Sequence, residues 1–260
     1  MTPTDISRFP FGQPLRPVVQ TDRRPKQVFV LGVYASAVHA RWIGADGKDV
    51  VKALAVASEP RIFWRGEDAG AIISQIAIPP AVGRLVPADP QFNGPSGIAL
   101  DELFLGPLGL RREDAWLCDL VPHSCVSGSQ QAAIARAYAP LVEEHGLPTA
   151  CIPPVPGRLA DQARREAILA EIRESKAQTL VLLGDQPIRW FLRHFDDRWG
   201  KLADFPAYGE KHPVKLDGLA LEVLPLAHPR QVAQLGKSSQ RWFEQHRAWV
   251  QSICPMSPRP

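Results

Sequence analysis

Four apolar stretches dominate the pattern of hydrophobic and polar positions along this chain. Three of them, near residues 27–33, 115–120 and 179–184, are short continuous apolar runs, which are typical of strands buried on both faces of a sheet. The fourth, near residues 220–226, begins with alternating apolar and polar positions and also indicates a strand. The pattern therefore predicts four strands.

Helical periodicity lies between these strands. It is clearest over 161–176, where apolar residues recur at helical spacing and Asp161 is placed to cap the first turn. A second helix is predicted over 129–146, with Ser129 as its N-cap and Pro140 as a kink or break. Further helices are predicted over 97–105, after residue 184 with Pro187 in the first turn, over 238–253, and in a short piece near 70–76.

Strands that alternate with helices predict an α/β fold. We expect a three-layer α/β/α sandwich with a central, mainly parallel four-stranded sheet. Two Asp-Gly pairs, Asp46-Gly47 and Asp217-Gly218, each lie between apolar runs and predict β-hairpins. The predicted organisation is an irregular N-terminal arm over 1–26, a single domain over 27–253 with a hairpin insertion at about 37–57, and a proline-rich tail over 254–260.

The composition indicates the general class of protein but does not indicate a function. The chain has 260 residues, 45% hydrophobic and 22% charged, as in an ordinary globular protein, and a formal net charge of +3. This mildly basic balance is compatible with nucleic acid but does not demonstrate it. No apolar run of membrane length and no signal peptide is found, so we expect a cytoplasmic protein with no membrane partner. The four cysteines fit no metal-ligand spacing, so we expect no metal and no cofactor.

Chemically useful side chains follow the predicted strands. The first strand ends in Gly32-Val33-Tyr34-Ala35-Ser36, the second contains Asp119 near its end, and the fourth leads into His228-Pro229. A glycine-rich turn, Phe92-Asn93-Gly94-Pro95-Ser96-Gly97, lies between the first two. Ligands of parallel sheets bind at the carboxyl ends of the strands. We therefore expect an aromatic ring, a carboxylate and an imidazole to meet in one crevice, which suits a planar heterocycle.

At this point the sequence resembles the uracil-DNA glycosylase superfamily, in order from about Val28 to Val250. The most specific block runs from Phe92 to Leu103 and continues from Gly109 to Val121. It resembles the family's Phe-x-Gly-x-x-Gly turn, helix, and strand that carries the base-recognising residue. The His228-Pro229 pair resembles the second family motif. The resemblance implies an enzyme that flips a base out of DNA and hydrolyses its N-glycosidic bond.

The resemblance assigns roles to individual residues. Phe92 matches the aromatic ring on which the flipped base stacks, although a buried core position is its alternative. His228 matches the donor to base O2, which stabilises the negative charge on the departing base, with a purely structural histidine as the alternative. Gly32, Tyr34 and Ser36 occupy the first motif and are expected to border the base. Arg230, Gln231 and Lys237 follow the His-Pro pair and are expected to contact DNA.

Two departures from the family pattern affect the expected substrate. The first motif has neither carboxylate nor amide after Gly32, so no residue there activates water, and Asn93 is the candidate that remains. Asp119 replaces the family's usual asparagine, which pairs with uracil N3–H and O4. A carboxylate cannot donate to O4, whereas a protonated Asp119 matches the N4 amine and N3 of cytosine. The alternative for Asp119 is a strand-end carboxylate that accepts a backbone N–H.

The sequence therefore predicts a DNA glycosylase that removes a base other than plain uracil. In the strict uracil enzymes of the family, the position that matches Ser36 looks to be a bulky tyrosine, whereas serine is small. We expect a C5-substituted cytosine as substrate, which would imply defence against phage DNA. Two alternatives stay open: a catalytically silent nucleic-acid-binding module of the same fold, and an enzyme that acts on free nucleosides or nucleotides. No obligate protein partner is evident, and the oligomeric state and DNA strand preference are left undetermined.

Overall fold

A computed structural model describes residues 7–234 and 239–253 of the chain. The strands of this part, in chain order, are β1 Val28–Tyr34, β2 Ala37–Ile43, β3 Asp49–Ser58, β4 Arg84–Pro87, β5 Ala115–Val121, β6 Thr179–Leu183, β7 His212–Leu216 and β8 Leu219–Leu226. The α-helices are α1 Ala69–Ser74, α2 Pro95–Ala99, α3 Gly128–Ala133, α4 Ala139–His145, α5 Gln162–Ser175, α6 Asp185–Trp190, α7 Pro229–Val232 and α8 Gln240–Ile253. Two π-helical segments, Leu100–Leu105 and Ile134–Tyr138, follow α2 and α3.

The elements form two compact units, which we call unit 1 and unit 2. Unit 1 comprises residues 1–18, 34–95 and 122–157, and unit 2 comprises residues 19–33, 96–121 and 158–260. Each unit has a sheet of its own. The predicted arm, single domain and tail stay predictions, and the tail at 254–260 lies outside the described residues.

Unit 2 is an α/β fold built on a mainly parallel five-stranded sheet flanked by helices. The strand order is β5-β1-β6-β8-β7, and β1, β6 and β8 pair in parallel. All residues of β5 and β6 are buried, which explains their continuous apolar sequences. The α/β class and all four predicted strands are confirmed. The fifth strand, β7, pairs antiparallel with β8 through the predicted Asp217-Gly218 turn and extends the expected four-stranded sheet.

Unit 1 contains a three-stranded antiparallel sheet in the order β3-β2-β4. The predicted hairpin around Asp46-Gly47 forms β2 and β3. Strand β4 was not predicted, and its stretch was expected to consist of loops and one short helix. Its four residues, the last of them a proline, carry too little pattern to predict a strand. A buried aromatic cluster fills the core of this unit, in which Phe11 contacts Trp42 and Tyr138 edge to face.

The helical stretch predicted over 129–146 differs from expectation at its start. Ser127, not Ser129, caps α3, because its side chain accepts the backbone N–H of Gln130. The π-helical segment then interrupts the regular helix immediately before Pro140, which has no N–H and crowds the preceding turn. The predicted break at this proline is therefore present as a widened turn. In contrast, Asp161 caps α5 as expected by accepting the N–H of Arg164.

Candidate active site

Asp119 is a buried carboxyl group near the end of β5. Only 4% of the residue is exposed. Burial raises the pKa of Asp119 from its usual 3.8 to about 7, because a buried carboxylate loses its hydration. Two smaller effects, the positive charge of Arg164 and a hydrogen bond from the Val33 backbone N–H, act in the opposite direction. Asp119 is therefore present in both protonation states near neutral pH.

The Val33 hydrogen bond constrains where the proton of Asp119 resides. An N–H group donates, so the oxygen that accepts it keeps acceptor character. In the neutral acid the proton therefore occupies the other oxygen. The side chain then presents one hydroxyl donor, together with a carbonyl oxygen that still has one free lone pair. The alternative role of Asp119, as the acceptor of a backbone N–H, is therefore compatible with the binding of a ligand by the remaining donor and lone pair.

Arg164 of α5 holds the main chain of β5 beside Asp119. Its guanidinium donates to the backbone carbonyl oxygen of Asp119 at 2.6 Å and to that of Leu120 at 3.1 Å. The same group lies 3.5 Å from the Glu171 carboxylate and 3.1 Å from the Cys118 sulfur. Arg164 therefore fixes the position of this strand end, and the sequence analysis missed it. The available clue was a charged residue one turn before Ile168, on the buried side of α5.

His228 follows β8 and is the N-cap of α7. Its Nδ1 accepts the backbone N–H of Arg230 at 3.2 Å, and its own backbone N–H donates to Gln231 Oε1 at 3.2 Å. Burial, and then the charge of Arg230, lower the pKa of His228 from 6.5 to about 4. The ring is therefore neutral near pH 7. Because Nδ1 is an acceptor, the proton is on Nε2, which becomes a hydrogen-bond donor.

A chain of buried polar groups supports the backbone just before His228. The N–H of Ala227 donates to the Tyr208 hydroxyl at 3.0 Å, and this hydroxyl lies 2.6 Å from Nδ1 of His246. His246 Nε2 lies 2.7 Å from the carbonyl oxygen of Leu103 in the first π-helical segment. Burial lowers the pKa of His246, which favours the neutral ring that this chain of hydrogen bonds requires. The His228 loop is thus held from within unit 2.

Glycine is required where the β6 strand meets this loop. Gly184 follows β6 with a φ of +88°, a conformation that side chains rarely adopt. A Cβ at this position would lie 3.2 Å from the Cβ of His228. On the neighbouring strand β1, Gly32 is buried one residue beyond the Leu31–Leu182 pair. The strands between β5 and β8 therefore carry no side chain at these two positions of the carboxyl edge.

In unit 1, the turn around Phe92 is held by its neighbour Asn93. Asn93 is buried, and its amide pairs with both backbone groups of His39: the His39 N–H donates to Oδ1 at 2.8 Å and Nδ2 donates to the His39 carbonyl oxygen at 2.9 Å. Glycine is required at the next position, Gly94, because a Cβ there would lie 2.1 Å from the backbone of Arg65. Asn93 retains one N–H and one lone pair, and its role toward water stays a prediction.

Phe92 itself is 40% exposed, so the ring is not a core residue. It lies 6.3 Å from the His39 ring, centroid to centroid. Tyr34 is likewise exposed, at 43%. Ser36 has an exposed side chain and a fixed backbone, because its N–H donates to Glu59 at 2.9 Å and its carbonyl oxygen accepts from Ser124.

The sequence comparison identifies the family. The model of the Uracil DNA glycosylase superfamily matches residues 88–251, which is more than half of the chain. The chain belongs to the uracil-DNA glycosylase superfamily. Members of this superfamily are typically DNA glycosylases, so the match indicates a DNA substrate and glycosylase activity, without giving the base. A comparison with curated protein sequences finds no match.

The predicted site residues of this superfamily member are divided between unit 1 and unit 2. Unit 2 contains Gly32, Asp119, His228, Arg230 and Gln231, whereas unit 1 contains the other four described candidates, Tyr34, Ser36, Phe92 and Asn93. That they line a single crevice stays a prediction. Lys237 lies outside the described residues.

Three of the four cysteines lie within the described residues. Cys118, Cys125 and Cys151 are free thiols, and burial raises the pKa of Cys125 to about 11. Within residues 7–234 and 239–253, no three histidine, cysteine or acidic side chains group in a way that could hold a metal ion. None of the helices in the same ranges has the length and apolar character needed to span a bilayer.

Proposed function

We propose that this protein hydrolyses the N-glycosidic bond of a flipped DNA base whose edge carries an exocyclic amine. The observation that carries the proposal is the buried Asp119 carboxyl group, with a pKa raised to about 7. In the neutral acid, the hydroxyl donates to ring N3 of cytosine, and the carbonyl oxygen accepts from the N4 amine while it keeps the Val33 N–H. In this same orientation a neutral Asp119 would set its hydroxyl against the N3–H of uracil, and an ionised Asp119 would set a negative oxygen against O4 of uracil.

His228 supplies the second half of the chemistry. When the C1′–N1 bond breaks, its electron pair moves onto the base, and negative charge grows on O2. The Nε2–H of a neutral His228 donates to this oxygen and stabilises the charge, without the cost of holding a buried imidazolium. Water then adds to C1′ of the cationic sugar, and the proton that it loses neutralises the departing base anion, which leaves an abasic site and the free base. Asn93 is our candidate for holding that water.

The C5 substituent is the finer part of the proposal. Ser36 is small and exposed, whereas a tyrosine at the matching position of strict uracil enzymes would exclude a group on C5. A modified cytosine with a C5 group would gain contacts that plain cytosine lacks, and host DNA would then be spared. Under this proposal the protein acts against phage DNA that carries hypermodified cytosine.

A second candidate function is a DNA-binding module that no longer cleaves. The observation that favours it is the first motif, which has no carboxylate or amide after Gly32, together with the Asn93 amide, two of whose hydrogen bonds go to the His39 backbone. Such a protein would bind a flipped base and leave the glycosidic bond intact.

The decisive experiment is single-turnover excision from otherwise identical duplexes that carry uracil, cytosine, or C5-modified cytosines. Release of the modified base with an alkali-sensitive site supports the proposal, and Asp119→Asn should shift the preference toward uracil. Rapid release of uracil by the unmutated protein, with no gain in Asp119→Asn, would refute recognition by Asp119. Binding of every duplex without cleavage of any would favour the silent module, and cleavage confined to free nucleotides would favour the nucleotide enzyme.

A further inference from the structure

Four arginines surround an open cleft in unit 2, and none of the residues that line it belongs to the candidate active site described above. The cleft has a volume of about 330 Å³ and is lined by Arg158, Arg165, Arg189, Trp190, Arg193 and His194. Its walls are the start of α5, the end of α6, and the turn after α6. The volume lies at the lower end of the range for small-ligand pockets, and it exceeds what one phosphate group would fill.

Ion pairing distinguishes the arginines of this cleft from other arginines of unit 2. Within the described ranges 7–234 and 239–253, none of the four arginines forms an ion pair with a carboxylate. Other exposed arginines of unit 2 do pair, for example Arg24 with Asp22 and Arg173 with Asp217. Guanidinium groups that gather without carboxylates repel one another, and an anion between them removes that repulsion.

Arg165 gives an independent indication of a missing partner. One terminal nitrogen of its guanidinium donates to the carbonyl oxygen of Ala160 at 2.9 Å. Its Nε is buried and has no hydrogen-bond partner among the described residues. A buried donor without an acceptor is uncommon in folded proteins, and it points to a ligand or solvent oxygen at this position.

The cleft lies close to the His228 loop along the fold. Helix α6 begins directly after Gly184, where an added Cβ would lie 3.2 Å from the Cβ of His228. Arg189 is five residues further on, or about 7.5 Å along a helix. Helix α5 is joined by a short turn to the start of β6, so its first turn, with Arg165, lies toward the carboxyl end of that strand. Both walls of the cleft therefore begin at the edge of the sheet where His228 is found.

We propose that this cleft binds phosphate groups of the DNA strand that carries the flipped base, next to the flipped nucleotide. The inference rests on the proposed function, because it assumes that His228 acts on a base in DNA. Paired guanidinium donors suit phosphate oxygens, and the Trp190 ring provides an apolar wall for a sugar or a neighbouring base. A free nucleotide or inorganic phosphate has the same chemistry, and the experiment separates these sources.

The test compares two double variants that each remove two positive charges. Arg189→Gln with Arg193→Gln changes exposed residues of the cleft, and Arg24→Gln with Arg173→Gln is the matched control. Binding of a labelled duplex is measured over a range of salt concentrations. Loss of two phosphate contacts should reduce the slope of log affinity against log salt by about 1.8, and should weaken binding by roughly eightfold per contact at 0.1 M salt. The control pair should leave the slope unchanged.

Equal slopes for the two double variants would overturn the proposal. Calorimetry with inorganic phosphate and with a mononucleotide distinguishes DNA phosphates from a free anion. If the cleft variant no longer binds these small anions but keeps the salt slope for DNA, the cleft binds a free anion and the proposal is overturned. Thermal unfolding confirms that both variants fold, and Arg158→Gln, in an exposed loop, provides a further variant. Because the readout is binding, absence of glycosylase activity would refute the proposed function without affecting this comparison.

Discussion

Replacement of Asp119 by asparagine should stabilise the protein above neutral pH and leave its stability at acidic pH nearly unchanged. The two side chains have almost the same shape, and asparagine can still accept the Val33 N–H through its carbonyl oxygen. The main difference is ionisation. An aspartate at this buried position becomes charged at high pH, whereas asparagine does not.

The size of the effect follows from the pKa. The pKa of Asp119 is about 7 in the folded protein and 3.8 when unperturbed. Below about pH 4 the group is protonated in both the folded and the unfolded states, so it contributes no pH dependence there. Between about pH 4 and pH 7 the unfolded chain loses the proton and the folded chain keeps it, so stability falls as pH rises. Above pH 7 the free energy of unfolding is lower by about 4 kcal/mol, since each pKa unit corresponds to about 1.4 kcal/mol.

Urea unfolding of both proteins at about pH 4.5 and about pH 8 measures this difference. The stability of Asp119→Asn minus that of the unmutated protein should increase by roughly 3 kcal/mol between the two pH values. Asp197→Asn, at an exposed carboxylate, is the control and should show little change. A difference that does not vary with pH would mean that Asp119 has an ordinary pKa, and the argument for a neutral acid at the base edge would fail.

Three further predictions concern the remaining candidates. His228→Asn should lower the single-turnover rate by about 100-fold with little loss of stability, because asparagine can still cap α7 but has no Nε2–H. His228→Ala should lose about 1 kcal/mol of stability as well. Equal rates for the asparagine variant and the unmutated protein would contradict the donor role. Asn93→Ala should destabilise folding by about 1–3 kcal/mol in urea unfolding, through loss of both hydrogen bonds to the His39 backbone. Phe92→Ala should weaken binding of the target duplex by about 1–3 kcal/mol in a titration while the unfolding midpoint hardly moves, because the ring is exposed.

The central sheet could be predicted because its strands are buried on both faces. The continuous apolar run over residues 180–183 is typical of such a strand, and Gln178 and Gly184 flank the strand on either side. The strands that escaped prediction have weaker patterns. Strand β4 has four residues and ends in a proline, and it exists because β2 offers an unpaired edge. Pairing of this kind is a tertiary effect that no local pattern encodes.

The helix over 128–145 illustrates a different limit. Ser127 and Ser129 are both good capping residues, and the choice between them depends on where the first backbone N–H groups point. Likewise, Pro140 predicts an interruption of the helix but does not determine the geometry of that interruption. The interruption takes the form of a π-helical turn before the proline, which the sequence alone did not distinguish from a kink or a full break.

For the candidate site, the residue types and the upward shift of the Asp119 pKa were predictable, and the groups that oppose this shift were not. The glycine turn and the His-Pro pair led to Phe92 and His228, since both lie in short motifs. The pKa of Asp119, however, is set by burial, which raises it, and by two smaller opposing effects, from the backbone N–H of Val33 and the charge of Arg164. These partners come from three separate parts of the chain, and only the fold brings them together.

Asp119 and His228 show how burial alone can prepare a site for a neutral base. Removal of water raises the pKa of an acid and lowers the pKa of a base, so the same physical cause moves Asp119 up to about 7 and His228 down to about 4. Between these two values both groups are mostly uncharged, and each offers a hydrogen-bond donor, the carboxyl hydroxyl in one case and Nε2–H in the other. Positive charges that bind the phosphate backbone are then best placed elsewhere, because a further cation beside Asp119, in addition to Arg164, would lower the pKa of Asp119 and favour the ionised form. The arginine cleft, which reaches the edge of the sheet through different residues, is consistent with that separation.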